Sequence, residues 1–138
     1  MKLSARNQLL GKVESLDTGA VSAVVKIDFG GFDLKACISM GSYYNLALEI
    51  GDAAYAIFLS HDVLVFRGNL TNDIPDSIKG TVTTVARGAV CAQVTVDLIA
   101  GCKIDAMMLD KAVQKQNLGV GDVVTVYVNP NNISIGTA

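Results

Sequence analysis

Apolar and polar residues alternate along most of this chain, in short runs that are rich in β-branched residues. The segments VSAVVKIDF, AAYAIFL and VCAQVTVDL are typical of strands that bury one face, and glycine or asparagine punctuates the intervals between such runs. Only SYYNLAL and DKAVQKQNL have a helical pattern, and both are short. The pattern therefore predicts an all-β protein with few helices.

The sequence is also internally repeated. The segment GKVESLDTGAVSAVVKIDFGG returns about seventy residues later as GTVTTVARGAVCAQVTVDLIAG, with Gly11 matching Gly80. Each copy has about five predicted strands and one short helix before the fourth strand, so we predict two tandem small OB-like Greek-key β-barrels, each with one short helix. The expected limits are 1–68 for the first domain, 69–76 for a polar linker and 77–138 for the second domain.

The composition is unusually apolar, with 51% hydrophobic and 17% charged residues. No uncharged stretch reaches the roughly 18 residues of a membrane-spanning helix, and the first residues lack the apolar core of a signal peptide. We therefore expect a cytoplasmic protein with no membrane partner, whose surplus apolar surface packs against further copies of itself. The formal net charge of −2 gives nucleic acid no general attraction, so no nucleic-acid partner is expected.

The sequence shows no pattern typical of catalysis or of a metal site. The cysteines Cys37, Cys91 and Cys102 are odd in number, show no C-x-x-C spacing and are expected to be reduced thiols. The single histidine, His61, stands beside Asp62, which is more typical of a turn than of a general base. We predict a protein that is not an enzyme and that holds neither a bare metal ion nor a cofactor.

A small polar cluster, Ser4, Arg6 and Asn7, stands directly before the first apolar run. A tetrahedral dianion accepts hydrogen bonds and donates none, so its site needs hydroxyls, backbone N–H groups and one or two cations rather than carboxylates. Arg6 has a planar fork that can hold two oxygens at once, Ser4 has a hydroxyl, and Asn7 is expected to anchor the local backbone. The ordinary alternative is a surface arginine paired with Glu14 or Asp17.

The chain resembles the Mop domain, the TOBE-like module of the molbindins. The resemblance is carried by four segments, taken in order: SARNQLLGKV, TGAVSAVVKID, ISMGS and EIGDAAYAIFLSHDVLV. The two-copy chain is similar to a tandem-domain molbindin over nearly its whole length. This resemblance implies binding of molybdate or tungstate for intracellular storage or homeostasis. It also implies a homo-oligomer, a trimer, with oxyanion sites between its subunits. The same module forms the sensory part of molybdate-responsive regulators and transporter ATPases.

The resemblance implies further ligand-binding residues. The family pattern T/S-x-x-S matches ISMGS and gives Ser39 and Ser42, although Ser42 also fits the N-cap of the following helix. The family element K-A-S corresponds to LSH, with Ser60 at its alanine, His61 at its serine and Leu59 at its lysine, so one cation is missing. Glycine turns such as T-G-A-V fit either a simple hairpin or a second class of anion site near a symmetry axis. The complete predicted ligand-binding set is Ser4, Ala5, Arg6, Asn7, Thr18, Gly19, Ala20, Val21, Ser39, Ser42, Ser60, Gly88 and Ala89.

The second copy departs from the family pattern. Asp73 and Asp76 stand where S-A-R-N is expected, and their carboxylates repel a dianion. Leu109 and Ala112 replace the two serines of T/S-x-x-S, and the K-A-S position reads NPN. We therefore predict that this copy has lost its own arginine-centred site, although Lys111 can lend a donor to a neighbour, and that fewer anions bind per trimer.

Two other functions stay open at this point. One is an OB-type nucleic-acid-binding domain, although the chain has no tryptophan and no cluster of lysine and arginine. The other is a ligand-free regulatory or interaction module, which the altered second copy favours.

Overall fold

The computed structural model describes residues 7–137. The strands are β1 (Asn7–Thr18), β2 (Ser22–Asp28), β3 (Asp33–Ser39), β4 (Ala53–Phe58), β5 (Val63–Arg67), β6 (Ile78–Ala86), β7 (Cys91–Asp97), β8 (Lys103–Leu109), β9 (Val123–Val128) and β10 (Ser134–Gly136). The helices are α1 (Met40–Leu46) and α2 (Asp110–Gln116), and single 3₁₀ turns cover Ser60–Asp62, Ile99–Gly101 and Pro130–Asn132. Among these described residues, no helix is long and apolar enough to cross a membrane.

The strands form two antiparallel sheets of five strands each. The first sheet has the order β10-β4-β1-β2-β3, and the second has the order β5-β9-β6-β7-β8. Buried and exposed positions alternate as the sequence predicts, so that Ala23, Val25 and Ile27 of β2 all lie in the core. The predicted fold class, two tandem OB-like barrels with one short helix each, is confirmed.

Each sheet receives an edge strand from the other copy of the repeat. β5 belongs to the first copy but pairs with β9, and β10 belongs to the second copy but pairs with β4. One compact unit therefore runs up to Phe58 and resumes at Asn129, and the other is Leu59–Val128. These units do not coincide with the predicted limits 1–68 and 77–138, because a sequence repeat shows what is duplicated and not which copy provides the edge strand.

The polar segment 69–76, expected as a linker, is tied to the second unit. Thr125 of β9 is fully buried, and its hydroxyl donates to the carbonyl oxygen of Gly68 at 2.7 Å. The same hydroxyl accepts the backbone N–H of Leu70 at 2.7 Å. Buried hydrogen bonds of this kind contribute about 1 kcal/mol each, so they hold the start of the segment against the sheet.

Matching glycines let the first long strand of each sheet pass close to its neighbour. A Cβ atom on Gly11 in β1 would lie 2.5 Å from the carbonyl oxygen of Asp28. A Cβ atom on Gly80 in β6 would lie 2.9 Å from the carbonyl oxygen of Asp97. A Cβ atom does not approach a backbone oxygen this closely, so both positions of the repeat favour glycine.

Candidate functional site

The two serines predicted from the T/S-x-x-S pattern lie together where β3 passes into α1. Ser39 has an extended backbone, and its Oγ accepts the backbone N–H of Ser42 at 3.1 Å, so Ser39 caps the helix. The alternative in which Ser42 is the cap is therefore wrong. The Ser39 hydroxyl donates to the Oγ of Ser42 at 3.1 Å, which orients the Ser42 hydroxyl and leaves its own O–H as a donor.

An open groove of about 290 Å³ lies beside these serines. Its polar lining is made of hydroxyl and amide groups, from Ser39, Ser42, Asn45, Asn131 and Ser134. None of the described residues that line it carries a charge. A groove with such donors and without carboxylates suits a ligand that only accepts hydrogen bonds.

Asn131 and Ser134 reach this groove through the exchanged C-terminal segment. Asn131 lies in the 3₁₀ turn before β10, and Ser134 is the first residue of β10. The sequence assigns the NPN element to the second copy and so misses both residues as candidates. The NPN element is itself the available signal, but only the exchange of edge strands shows that it faces the serines of the first copy.

Ser60 does not join the two serines in this groove. It is 3% exposed in the turn that precedes β5, and β5 belongs to the second sheet. Its neighbour His61 lines a mostly apolar groove of about 320 Å³ together with Met108 and Ala112. The K-A-S element of the first copy therefore faces the position at which the second copy has lost its T/S-x-x-S serines.

Ser4, Ala5 and Arg6 lie outside the described residues, so the predicted grip of the guanidinium on an anion stays a prediction. The next residue, Asn7, opens β1 opposite Phe58 and is 2% exposed. The role of Asn7 in anchoring the backbone stays a prediction.

Thr18, Gly19, Ala20 and Val21 connect β1 to β2. The backbone N–H of Gly19 donates to the carbonyl oxygen of Ser22 at 2.9 Å, as in a tight hairpin, and is thereby used within the turn. The side chain of Val21 is left on the surface, at 81% exposure. The role of this turn in holding a second anion stays a prediction.

The corresponding turn of the second copy, which contains Gly88 and Ala89, is held by an ion pair. The Nε and Nη2 atoms of Arg87 donate to the two carboxylate oxygens of Asp110, the Nη2 bond at 2.8 Å. The Nε2 of Gln114 donates to the same carboxylate at 3.2 Å. The hydrogen bonds from Arg87, with smaller effects from its charge and from Gln114, lower the pKa of Asp110 below its ordinary value. This pair is not among the predicted site residues, although an arginine stands directly before G-A-V and an aspartate directly after β8 in the aligned repeat.

The cysteines and acidic residues form no second kind of site in the described part of the chain. Cys37, Cys91 and Cys102 are free thiols. Within residues 7–137, no three side chains of His, Cys, Asp or Glu are close enough together to hold a metal ion.

Fold and groove together define a tandem OB-like barrel protein with a donor-lined groove between β3 and the exchanged β10. The TOBE domain family matches residues 3–65. The probable molybdenum-pterin-binding protein of Haemophilus influenzae is 48% identical over 66 residues, which make up 47% of this chain and 96% of that protein. The molybdenum transport protein ModE of Herbaspirillum seropedicae is 33% identical over 129 residues, which make up 91% of this chain and 48% of that protein.

A solved structure is similar over the full length. It is a crystal structure of the cytoplasmic molybdate-binding protein ModG with molybdate bound, which matches 100% of both chains with a TM-score of 0.92 and 32% sequence identity. The chain belongs to the molbindin family of Mop-domain (TOBE-type) proteins. The resemblance seen in the sequence is thereby confirmed.

Proposed function

We propose that this chain binds molybdate or tungstate reversibly, for storage or homeostasis in the cytoplasm, and that it acts as a binding protein rather than an enzyme. The main support is the uncharged, donor-lined groove at Ser39, Ser42 and Asn131, in a chain that matches molybdate-bound ModG along its whole length. The relatives named for molybdenum binding support the same ligand class.

The chemistry of the groove explains how it would hold such an anion. The hydroxyls of Ser39 and Ser42 and the amide of Asn131 donate to oxyanion oxygens, and no carboxylate among the described lining residues repels them. The groove has no cation of its own among those residues, so the positive charge is assigned to Arg6, with Ser4 as a further hydroxyl. Hydrogen bonds to a charged group contribute about 1.5–3 kcal/mol each, so about five of them can offset the loss of the hydration shell.

Matching apolar residues on the surface of both copies support assembly with further copies of the chain. Val21 and Val90 occupy the same position in the repeat and are 81% and 71% exposed. Ile50 and Val120 form a second matching pair, at 69% and 70% exposure. Exposed apolar side chains that recur at equivalent positions are typical of subunit contacts. We propose that the chain assembles as a trimer, with its anions bound where subunits meet.

Equilibrium dialysis against molybdate, with the metal measured in the protein compartment, tests the proposal on the full chain. Arg6→Ala is expected to remove most of the high-affinity binding. Ser42→Ala is expected to weaken binding by about tenfold or more, because it deletes one hydrogen bond to a charged ligand. Ser42 is preferred to Ser39 for this test because Ser39 also caps α1.

Lys111→Ala serves as the control, since the altered second copy is not expected to bind through its own site. It should change molybdate affinity little. No loss with Arg6→Ala, or an equal loss with Lys111→Ala, would show that the site is misplaced. Native mass spectrometry with and without molybdate reports the number of subunits and of bound anions in one measurement.

A further inference from the structure

The second copy contains a cluster of hydrogen-bond donors suited to an anion, and a carboxylate of the protein itself already occupies it. Arg87 donates two hydrogen bonds to Asp110, and Gln114 donates one more. The carboxylate is well enclosed, with the Asp110 side chain 11% exposed, whereas the side chain of Arg87 is 48% exposed. A guanidinium fork and a side-chain amide N–H are groups that suit a tetrahedral oxyanion.

The first copy has the same backbone at this place but none of these side chains. Met40 donates its backbone N–H to Val21 at 3.0 Å, and Asp110 donates its own to Val90 at 2.8 Å. In the repeat alignment, Thr18 stands at the position of Arg87, Met40 at that of Asp110 and Tyr44 at that of Gln114. The guanidinium and the carboxylate thus occur together in one copy and are both lacking in the other.

We propose that Asp110 is a built-in anion that fills the donor cluster of Arg87 and Gln114 and thereby excludes free oxyanions from the turn of the second copy. A carboxylate on the same chain acts at an effective concentration of the order of millimolar or above, which a dilute free anion must exceed to displace it. The inference deepens the proposed function, on which it rests for the class of ligand. It makes Asp110 a residue that determines which of the two copies takes up oxyanion.

The test compares the full-length wild type with Asp110→Ala, using molybdate and, separately, sulfate as probes. Removal of the carboxylate leaves both donor side chains in place, so Asp110→Ala is expected to bind about one more oxyanion per chain than the wild type. Its affinity at this turn should exceed that of the wild type by at least about tenfold, because the bond to Arg87 is charge-assisted. The double variant Arg87→Ala/Asp110→Ala is expected to lose this gain.

Asp97→Ala is the matched control for net charge. It removes one carboxylate from β7 of the same unit, and that carboxylate faces Lys103 at 3.8 Å rather than the donor cluster. An equal gain in Asp97→Ala would assign the effect to overall charge and overturn the proposal. Asp110→Ala that folds but binds no more oxyanion than the wild type would overturn it as well.

A measurement on the wild type keeps the inference testable if Asp110→Ala does not fold. The Nε–H resonance of Arg87 should not move when molybdate is added to the wild-type chain, because that N–H already donates to Asp110. A shift of this resonance as large as the shifts at Ser39 and Ser42 would refute the inference. Failure of the proposed function would give a different result from failure of this inference. In that case the wild type would take up no molybdate at all, whatever the sulfate binding of Asp110→Ala.

Discussion

Asn131→Asp tests whether the exchanged C-terminal turn completes the groove of the first copy. Asn131 is exposed and lines the groove. The hydrogen bond that holds its turn runs from its backbone N–H to the side-chain oxygen of Asn129 at 2.9 Å and does not use the Asn131 side chain. The substitution therefore keeps shape and turn while it adds one negative charge beside the bound anion.

The magnitude follows from the Coulomb energy of one charge with a dianion. At a separation of about 6 Å, the repulsion is about 1.4 kcal/mol with the dielectric constant of water and about 5 kcal/mol at an effective value near 20. Because the groove is open to solvent, the lower value is the safer expectation. It corresponds to a loss of about tenfold in affinity for molybdate.

Isothermal titration calorimetry with molybdate measures this loss, and Asn132→Asp is the matched control. Asn132 is the next residue of the same turn, is exposed and is not among the residues that line the groove. It should weaken binding much less than Asn131→Asp. Added salt should reduce the difference between the two variants, because exposed charges are screened.

Equal affinities of the two variants would refute the reasoning. In that case the turn Pro130–Asn132 would not contribute to the anion site, and the groove between β3 and β10 would not be where molybdate binds. An affinity of Asn131→Asp that equals that of the wild type would have the same meaning, since the added charge would then lie far from the bound anion.

Three further predictions concern stability and pH. Thr125→Val removes the buried hydroxyl that binds the start of segment 69–76, so it should lower the free energy of unfolding by about 1–3 kcal/mol in urea titrations. Thr84→Val, on the exposed face of β6, is the control and should change the free energy of unfolding little. Gly80→Ala should cost about 1–3 kcal/mol by overpacking, and Gly41→Ala, whose Cβ would meet nothing nearer than 3.9 Å, should be neutral or stabilising. Because its ion pair lowers the pKa of Asp110, that carboxylate stabilises the fold above the ordinary carboxyl pKa, and the contribution is lost as the pH falls through the lowered value. Melting temperatures measured from neutral to acidic pH should therefore fall less in Asp110→Asn than in the wild type.

The sequence predicts the strands well because their alternation is regular. β2 and β7 follow the pattern residue by residue, and both short helices lie where the periodicity places them. The match of Gly11 with Gly80 corresponds to one structural need, a close approach between strands, and this explains why the repeat is readable at these positions.

The partners of the edge strands could not be predicted from the same pattern. β5 and β10 are short strands of five and three residues that would fit the edge of either sheet, so local alternation does not select between them. The consequence for the site is direct: the sequence groups Ser60 with Ser39 and Ser42, whereas the structure places Asn131 and Ser134 there. The ion pair of Arg87 and Asp110 escapes prediction for a similar reason, because residues 23 positions apart meet only when β7 aligns β6 with β8.

The crossing of the chain at Phe58 and again at Asn129 means that neither half of the duplicated sequence is a self-sufficient module. A protein cut at the repeat boundary would keep β4 but lose the strand that covers its outer side, and such a bare edge invites pairing with another molecule. The single polypeptide thus exchanges edge strands between its own two copies, as a domain-swapped dimer exchanges an element between two molecules. A chain that carried one copy alone would therefore need the edge strand of a second molecule to complete its sheet.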